Sequence, residues 1–172
     1  MNLRKMALLS LAAMFLISGC SNTGSAEKTA PATSPTQGQA ADFSLENTDN
    51  RTVRLSDYQD KVIILNFFAT WCPPCRAEIP DFVELVKDYG DKGLVILGVS
   101  VDRGAAAAVK EFVKQYDINY PVMLDDGLVS KTYGPIHSIP TTFIIDRNKN
   151  IVQKIIGSRN KDYFENIIKP LL

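Results

Sequence analysis

Hydrophobic residues are grouped along this chain in short runs that polar turns separate. Residues 61–68 (KVIILNFF) and 93–101 (GLVILGVSV) are almost continuously apolar and rich in β-branched side chains. Such runs are typical of strands whose two faces are both buried. Shorter runs of the same kind predict strands over residues 121–124, 141–145 and 151–157.

Helices are predicted where apolar residues recur every three or four positions. Pro73 and Gly90 bound a helix over residues 73–89, because proline suits the first helical position and glycine the position after the last. The Asn160 side chain can cap a further helix that runs to Leu172. Two more helices are predicted over residues 105–116 and 128–133.

Two short apolar segments precede the first long strand. Residues 43–45 and 52–55 flank a polar turn at residues 48–50, which predicts a β-hairpin. After the hairpin, strands alternate with helices, an order typical of βαβ units whose central sheet is covered on both sides. The last two strands follow one another without a helix, so the sheet is expected to be mixed.

The composition is that of an ordinary globular chain. Apolar residues make up 45% of the 172 residues, and 19 basic side chains balance 19 acidic ones. This length predicts one domain with additional segments. The sequence has no basic stripe, so nothing in it indicates a nucleic-acid partner.

The N-terminus differs from the rest of the chain. Arg4 and Lys5 precede an apolar run over residues 6–17, and small residues and Cys20 follow it. A charged start, a short apolar run and small residues are typical of an export signal. The segment ISGC resembles a bacterial lipobox, in which the cysteine is lipidated and becomes the new N-terminus. An ordinary secretory signal cut slightly later and a short membrane anchor are the alternatives.

The next segment is polar and contains no aromatic residue. Residues 21–41 are rich in Ser, Thr, Ala, Pro and Gln, a composition that cannot bury enough apolar surface to fold. We therefore predict a signal peptide over residues 1–19, a lipidated Cys20 with a flexible tether to residue 41, and a folded domain over residues 42–172. Such a tether spans ~25 Å. Export also places the domain where disulfides persist.

Two of the three cysteines lie close together after a predicted strand, in ATWCPPC (residues 69–75). Cys72 stands at the start of the helix, where free N–H groups and the helix dipole stabilise a thiolate. Cys75 lies one turn further in and is expected to be less exposed. We predict that Cys72 attacks a substrate disulfide and that Cys75 then releases the product. Because Pro74 has no N–H, the Cys75 N–H is the main backbone donor to the Cys72 sulfur.

Other uses of the cysteine pair fit the residues less well. A structural disulfide around so short a loop constrains the unfolded chain little. A zinc site needs more ligands, and the only histidine, His137, is expected to be solvated in a loop. Covalent haem attachment needs a histidine directly after the second cysteine, where Arg76 stands. Asp125, Asp126 and Asp146 are typical of turns rather than of metal ligands.

The segments NFFATWCPPCRAEIP (residues 66–80) and SIPTTFIID (residues 138–146) resemble the thioredoxin superfamily. The opening hairpin, the extra segment before SIPT and the lipid-type anchor resemble its TlpA/ResA/CcmG-like branch of membrane-anchored thiol-disulfide oxidoreductases. The resemblance covers about residues 42–172. It implies a thioredoxin-like three-layer α/β/α sandwich with a central mixed sheet, an N-terminal β-hairpin and an inserted helix–strand segment.

The resemblance also implies roles for residues outside the cysteine pair. Ile139, Pro140 and Thr141 match the family's cis-proline loop, which faces the dithiol and presents backbone to a bound peptide. Trp71 matches the tryptophan beside the dithiol, and Pro80 matches the proline that kinks the active-site helix. We therefore expect Trp71 and the three loop residues to contact the substrate. Packing in the core is the alternative role for Trp71.

Asn66 departs from the pattern of thioredoxins proper, which carry a buried aspartate at this position. An asparagine cannot exchange protons. Glu78 lies three residues after Cys75 on the same helix face, and the branch often has a glutamate there. Burial is expected to raise the pKa of Glu78, so that it exchanges protons with the dithiol near neutral pH. The alternative is an exposed helix glutamate without a role.

By resemblance, the chain is a reductant of disulfides in specific envelope proteins and needs no cofactor. The best candidate substrate is the CxxCH pair of apocytochrome c, and a membrane electron donor of the DsbD/CcdA type would regenerate the dithiol. We expect a monomer, lipid-anchored in the bacterial envelope and facing the periplasm or extracytoplasmic space. The alternatives are a disulfide-forming oxidant, a peroxiredoxin-like peroxide reductase, and a tethered chaperone or binding module. The lack of a lone upstream cysteine in the domain argues against peroxide chemistry.

Overall fold

The computed structural model describes residues 38–172. The predicted signal peptide, the lipidation site Cys20 and most of the predicted tether lie outside this range, and so they stay predictions. Within the range, no helix is both long enough and apolar enough to cross a membrane.

Strands and helices alternate along much of the described chain. The strands are β1 (Ser44–Glu46), β2 (Thr52–Arg54), β3 (Val62–Phe68), β4 (Leu94–Ser100), β5 (Val122–Leu124), β6 (Thr141–Ile145) and β7 (Ile151–Ile156). The helices are α1 (Pro73–Tyr89), α2 (Ala106–Gln115), α3 (Val129–Thr132) and α4 (Lys161–Ile168). Each element that the hydrophobic pattern predicts is present, with bounds within a few residues of those expected.

The central sheet is mixed, as predicted, and has the strand order β5-β4-β3-β6-β7. β3 pairs in parallel with β4 and in antiparallel with β6. All seven residues of β3 are buried, because strands pair on both of its sides and both of its faces are covered. The carboxyl ends of β3, β4 and β5 meet the start of β6 at one edge of the sheet. This edge carries the cysteine pair.

Both faces of the sheet are covered. Helices α1, α2 and α4 pack over the face that carries Ile64 and Phe68. The antiparallel β1–β2 hairpin and α3 pack over the opposite face, around Leu65 and Phe67. The elements α2, β5 and α3 form the inserted segment between β4 and β6. The layered arrangement is the one that the sequence resemblance implied.

The packed chain begins before Asp42, the predicted start of the domain. The Ala40 N–H donates to the Lys149 carbonyl oxygen at 2.7 Å, and the Tyr133 hydroxyl donates to the Ala41 carbonyl oxygen at 2.7 Å. Ala40 is also buried. The residues directly before Asp42 are thus bonded to the domain, although their composition resembles that of the tether.

Helix α1 ends at Tyr89, as predicted, whereas α4 ends earlier than predicted. Gly90 keeps a right-handed backbone (φ −55°), so a short 3-10 turn follows α1, and the left-handed glycine that ends this turn is Gly93, where φ is +102°. Helix α4 ends at Ile168 rather than at Leu172. The reason is that Pro170 has no N–H with which to extend the helical hydrogen bonds.

Candidate redox site

The two cysteines of ATWCPPC are joined as a disulfide at the N-terminus of α1. Cys72 is the N-cap residue, with an extended backbone, and Pro73 occupies the first helical position. The Cα atoms of Cys72 and Cys75 are 5.3 Å apart, within the usual range for a disulfide. The Cys75 N–H donates to the Cys72 Sγ at 3.3 Å. The Cys72 sulfur therefore receives the backbone hydrogen bond that the sequence predicts.

The two cysteines do not differ in exposure, although Cys75 was expected to be the less exposed. Cys72 and Cys75 are each 2% exposed in the disulfide form. The Cys72 Sγ lies 3.8 Å from the carbonyl oxygen of Ile139, so the loop before β6 shields it. Cys75 packs in an apolar cluster with Ile79 and Val83.

The loop before β6 faces the cysteine pair, as the resemblance implied. The Ile139–Pro140 peptide bond is cis. Ile139 is half-buried, whereas Pro140 is buried and its carbonyl oxygen accepts from the Gly157 N–H at 2.8 Å. Thr141, the third loop residue expected to contact the substrate, is 2% exposed, and its hydroxyl donates to the Ser138 carbonyl oxygen at 2.6 Å. Its side chain therefore stabilises the loop from inside.

Trp71, the single tryptophan of the chain, is 67% exposed. Core packing, the alternative role for this residue, does not apply. The Cys72 N–H donates to the Ala69 carbonyl oxygen at 3.2 Å, so residues 69–72 form a tight turn with Trp71 at its surface. An exposed aromatic ring directly before Cys72 is suited to contact with another protein.

Glu78 is 2% exposed on α1, unlike the exposed glutamate that was the alternative. Its Oε2 accepts from the Asn66 amide at 3.3 Å, and its Oε1 accepts from the Arg159 backbone N–H at 3.1 Å. Burial raises the pKa of Glu78 to about 7, and these two hydrogen bonds limit the rise because they favour the charged form. The carboxyl group can therefore gain or lose a proton near neutral pH.

Asn66 connects Glu78 to the central sheet. Its amide also donates to the Thr142 Oγ1 at 2.9 Å, and Thr142 is its partner in the pairing of β3 with β6. An asparagine amide supplies both of these N–H groups, which an ionised aspartate could not do. The departure from the thioredoxin pattern at Asn66 is thus matched by a buried, hydrogen-bonded Glu78.

The residues that hold the turn before Cys72 were not predicted from the sequence. Asp102, which is 9% exposed, accepts hydrogen bonds from the Thr70 N–H at 2.9 Å and from the Thr70 hydroxyl at 2.8 Å. The Ser100 hydroxyl also donates to Asp102, at 2.7 Å. The sequence could have indicated this contact, because Asp102 follows β4 and Thr70 follows β3. The carboxyl ends of neighbouring parallel strands lie at the same edge of a sheet.

The remaining polar candidates lie outside this cluster. His137 is exposed in its loop, as expected. Asp125 and Asp126 accept backbone hydrogen bonds around the start of α3, and Asp146 accepts them in the turn between β6 and β7. Between residues 38 and 172, no group of three or more His, Cys, Asp or Glu side chains could hold a metal ion.

Comparison with known proteins relates this site to thiol–disulfide chemistry. The chain matches the model of the AhpC/TSA family over residues 36–154. It is 38% identical over 134 residues to the thiol-disulfide oxidoreductase ResA of Bacillus thuringiensis subsp. konkukian. That alignment covers 77% of this chain and 76% of the relative.

Solved structures share the fold. A thiol:disulfide interchange protein of the thioredoxin family from Chlorobium tepidum is 36% identical, with a TM-score of 0.72, and the match covers 81% of this chain and 98% of that one. The pneumococcal exposed lipoprotein thioredoxin from Streptococcus pneumoniae is 37% identical, with a TM-score of 0.67, and the match covers 76% and 100% respectively. These similarities confirm the thioredoxin-like fold that the sequence resemblance implied.

Proposed function

We propose that this protein, which belongs to the AhpC/TSA family and is a thiol-disulfide oxidoreductase, reduces disulfides of other proteins outside the cytoplasm. One observation carries this proposal. The Cys72–Cys75 pair lies at the N-terminus of α1, with the Cys75 N–H directed at the Cys72 sulfur. In the reduced protein, this position stabilises a Cys72 thiolate, which is the nucleophile of thiol–disulfide exchange.

The proposed reaction has two exchange steps. The Cys72 thiolate attacks one sulfur of a substrate disulfide, forms a mixed disulfide and releases the first substrate thiolate. The Cys75 thiolate then attacks the Cys72 sulfur, breaks the mixed disulfide and releases the second substrate thiolate. The substrate gains two electrons, and the protein is left with the disulfide between Cys72 and Cys75.

In this mechanism, Glu78 accepts the proton that Cys75 must lose before it attacks. The pKa of Glu78, which burial raises to about 7, suits proton transfer near neutral pH. Cys75 and Glu78 are three residues apart on α1, so their side chains lie on the same helix face. When the disulfide is reduced again, the protonated carboxyl can return the proton to the Cys75 thiolate.

The substrate docks, in this proposal, between Trp71 and the loop before β6. Trp71 offers an exposed aromatic surface next to Cys72. The Ile139 carbonyl oxygen lies 3.8 Å from the Cys72 Sγ, so a peptide that pairs with the backbone here would bring its disulfide to the attacking sulfur. Pro140 shapes this stretch of backbone, and Thr141 supports it through its hydrogen bond to Ser138.

We also propose a location and partners for the protein. Lipidation of Cys20 would anchor it in the bacterial envelope, and its similarity to an exposed lipoprotein thioredoxin supports this anchor. The CxxCH pair of apocytochrome c is the first candidate substrate, because both of its thiols must be free before haem is attached. A membrane donor of the DsbD/CcdA type would return electrons to the Cys72–Cys75 disulfide.

A trapping experiment tests the proposed substrate class. Cys75→Ser keeps the attacking sulfur and removes the one that releases the product, so mixed disulfides should accumulate in cells. Non-reducing electrophoresis and mass spectrometry should identify envelope proteins with cysteine pairs, apocytochrome c among them. The double variant Cys72→Ser/Cys75→Ser is the matched control and should trap nothing. Equal trapping by both variants, or none by either, contradicts the proposal.

The redox state of the protein in cells separates a reductant from an oxidant. A reductant is kept as a dithiol by its electron donor, so rapid alkylation of intact cells should modify both Cys72 and Cys75. A disulfide-forming oxidant is kept as a disulfide and would resist alkylation. Recovery of the pair mainly in the disulfide form would therefore favour the oxidant.

A further inference from the structure

A buried carboxylate holds the turn that leads into the cysteine pair. The Asp102 Oδ2 accepts from the Thr70 N–H at 2.9 Å, and its Oδ1 accepts from the Thr70 hydroxyl at 2.8 Å. The Ser100 hydroxyl donates to Oδ2 at 2.7 Å. Asp102 is 9% exposed, so these hydrogen bonds replace the water that the carboxylate loses on burial.

The backbone on either side of Thr70 is also bonded. The Val101 N–H donates to the Phe68 carbonyl oxygen at 2.9 Å, which extends the contact of β3 with β4 beyond the last residue of β4. On the other side, the Cys72 N–H donates to the Ala69 carbonyl oxygen at 3.2 Å. Thr70 lies between these two bonds, and both its backbone and its side chain are held by the carboxylate.

We propose that Asp102 is a positioning residue, which holds Trp71 at the surface beside Cys72 so that a protein substrate can dock there. This inference rests on the proposed function and adds one residue to it. Trp71 follows Thr70 directly and is 67% exposed, so the backbone of the turn, more than packing, defines where its ring stands. An aromatic anchor held in place before binding loses less conformational entropy when the partner docks.

The hydrogen-bond pattern predicts which replacements are tolerated. Asp102→Asn keeps one acceptor oxygen for the Thr70 N–H, and its amide can donate to the Thr70 hydroxyl oxygen, which can accept as well as donate. Asp102→Ala leaves both Thr70 donors without their acceptor. The asparagine variant should therefore retain the function that the alanine variant loses. A role that depended on the negative charge alone would impair both variants equally.

Two disulfides of different size test the positioning role. The reduced protein is mixed rapidly with insulin, which must dock on the protein surface, or with oxidised glutathione, which needs little of that surface. For Asp102→Ala, the rate constant with insulin should fall about tenfold, and the rate constant with glutathione should fall much less. Asp102→Asn should stay within about threefold of the natural protein with insulin. The fluorescence anisotropy of Trp71, the single tryptophan, should fall in the alanine variant.

Two further variants complete the test. Asp146→Ala removes a carboxylate that accepts turn hydrogen bonds at the opposite edge of the sheet, and it should leave both rate constants unchanged. Thr70→Val removes only the hydroxyl donor, and it should lower the insulin rate constant even if Asp102→Ala does not fold. Equal losses with both disulfides, or an unchanged Trp71 anisotropy, overturn the positioning role. Failure of the natural protein to reduce either disulfide overturns the proposed function and this inference with it.

Discussion

The backbone N–H of Cys75 points at the sulfur of Cys72, 3.3 Å away, across the first turn of α1. An N-cap side chain usually receives hydrogen bonds from the second and third helical N–H groups. Here the second helical residue is Pro74, which has no N–H, so the third residue is the donor. The residues between the cysteines therefore limit how many N–H groups can stabilise a thiolate at Cys72 in the reduced protein.

Pro74→Ala should lower the pKa of the Cys72 thiol, because it adds a second N–H near the sulfur and each such hydrogen bond favours the thiolate. Pro73→Ala is the matched control and should change this pKa less, since the first helical N–H does not normally reach the N-cap side chain. Thiolate absorbance, followed against pH in the reduced proteins, measures both variants. An equal or higher pKa in Pro74→Ala would refute this explanation.

Asn66→Asp should give a pair of neighbouring carboxyl groups with two pKa values. The upper pKa of this pair should lie above the pKa of about 7 that Glu78 has in the natural protein. The substitution removes the N–H that donates to Glu78 at 3.3 Å and puts a second carboxyl in its place, and two such neighbours resist ionising together. Carbon NMR of the carboxyl groups in the disulfide form, where neither thiol of the pair titrates, measures this shift. Thr142→Val changes the other partner of Asn66 without adding charge and should move the pKa less. An unchanged or lowered upper pKa counts against the prediction.

Glu78 should also make stability depend on pH. Because its folded-state pKa is raised from 4.5 to about 7, its contribution to stability is fully present below about 4.5 and is lost as pH rises through about 7. Relative to Glu78→Gln, the free energy of unfolding of the natural protein should fall across this window by at most about 3.5 kcal/mol, since one pKa unit corresponds to about 1.4 kcal/mol.

Denaturant unfolding of the disulfide form at several pH values measures this difference. Glu111→Gln, which changes an exposed glutamate, is the control and should follow the natural protein at every pH. A constant difference between the natural protein and Glu78→Gln from pH 4 to 8 would show that Glu78 does not titrate in this window.

Much of the fold could be predicted because local rules decide it. The continuous apolar run of β3 fits few structures other than a buried strand. Asn160 caps α4 by accepting the Tyr163 N–H at 3.1 Å, as its residue type suggested. The packing of Ala40 against the domain could not be predicted, because its partner Lys149 is distant in sequence and nothing in the local composition signals the contact.

The same distinction applies to the site. Cys72, Cys75 and Glu78 could be named together because the spacing along one helix brings them to one region. The bond between Asp102 and Thr70 joins residues 32 positions apart, so only the neighbouring carboxyl ends of β3 and β4 could have suggested it. The low exposure of Cys72 likewise depends on the loop before β6, which is distant in sequence.

Insulin reduction by the natural protein and by Cys72→Ser tests most directly whether Cys72 is the attacking sulfur. With dithiothreitol as the electron source, the natural protein should accelerate the precipitation of reduced insulin chains, and Cys72→Ser should give only the rate of dithiothreitol alone. Cys75→Ser, which keeps the attacker, should form a mixed disulfide with insulin that Cys72→Ser cannot form. Insulin reduction by Cys72→Ser at the natural rate would contradict the assignment of Cys72 as the nucleophile.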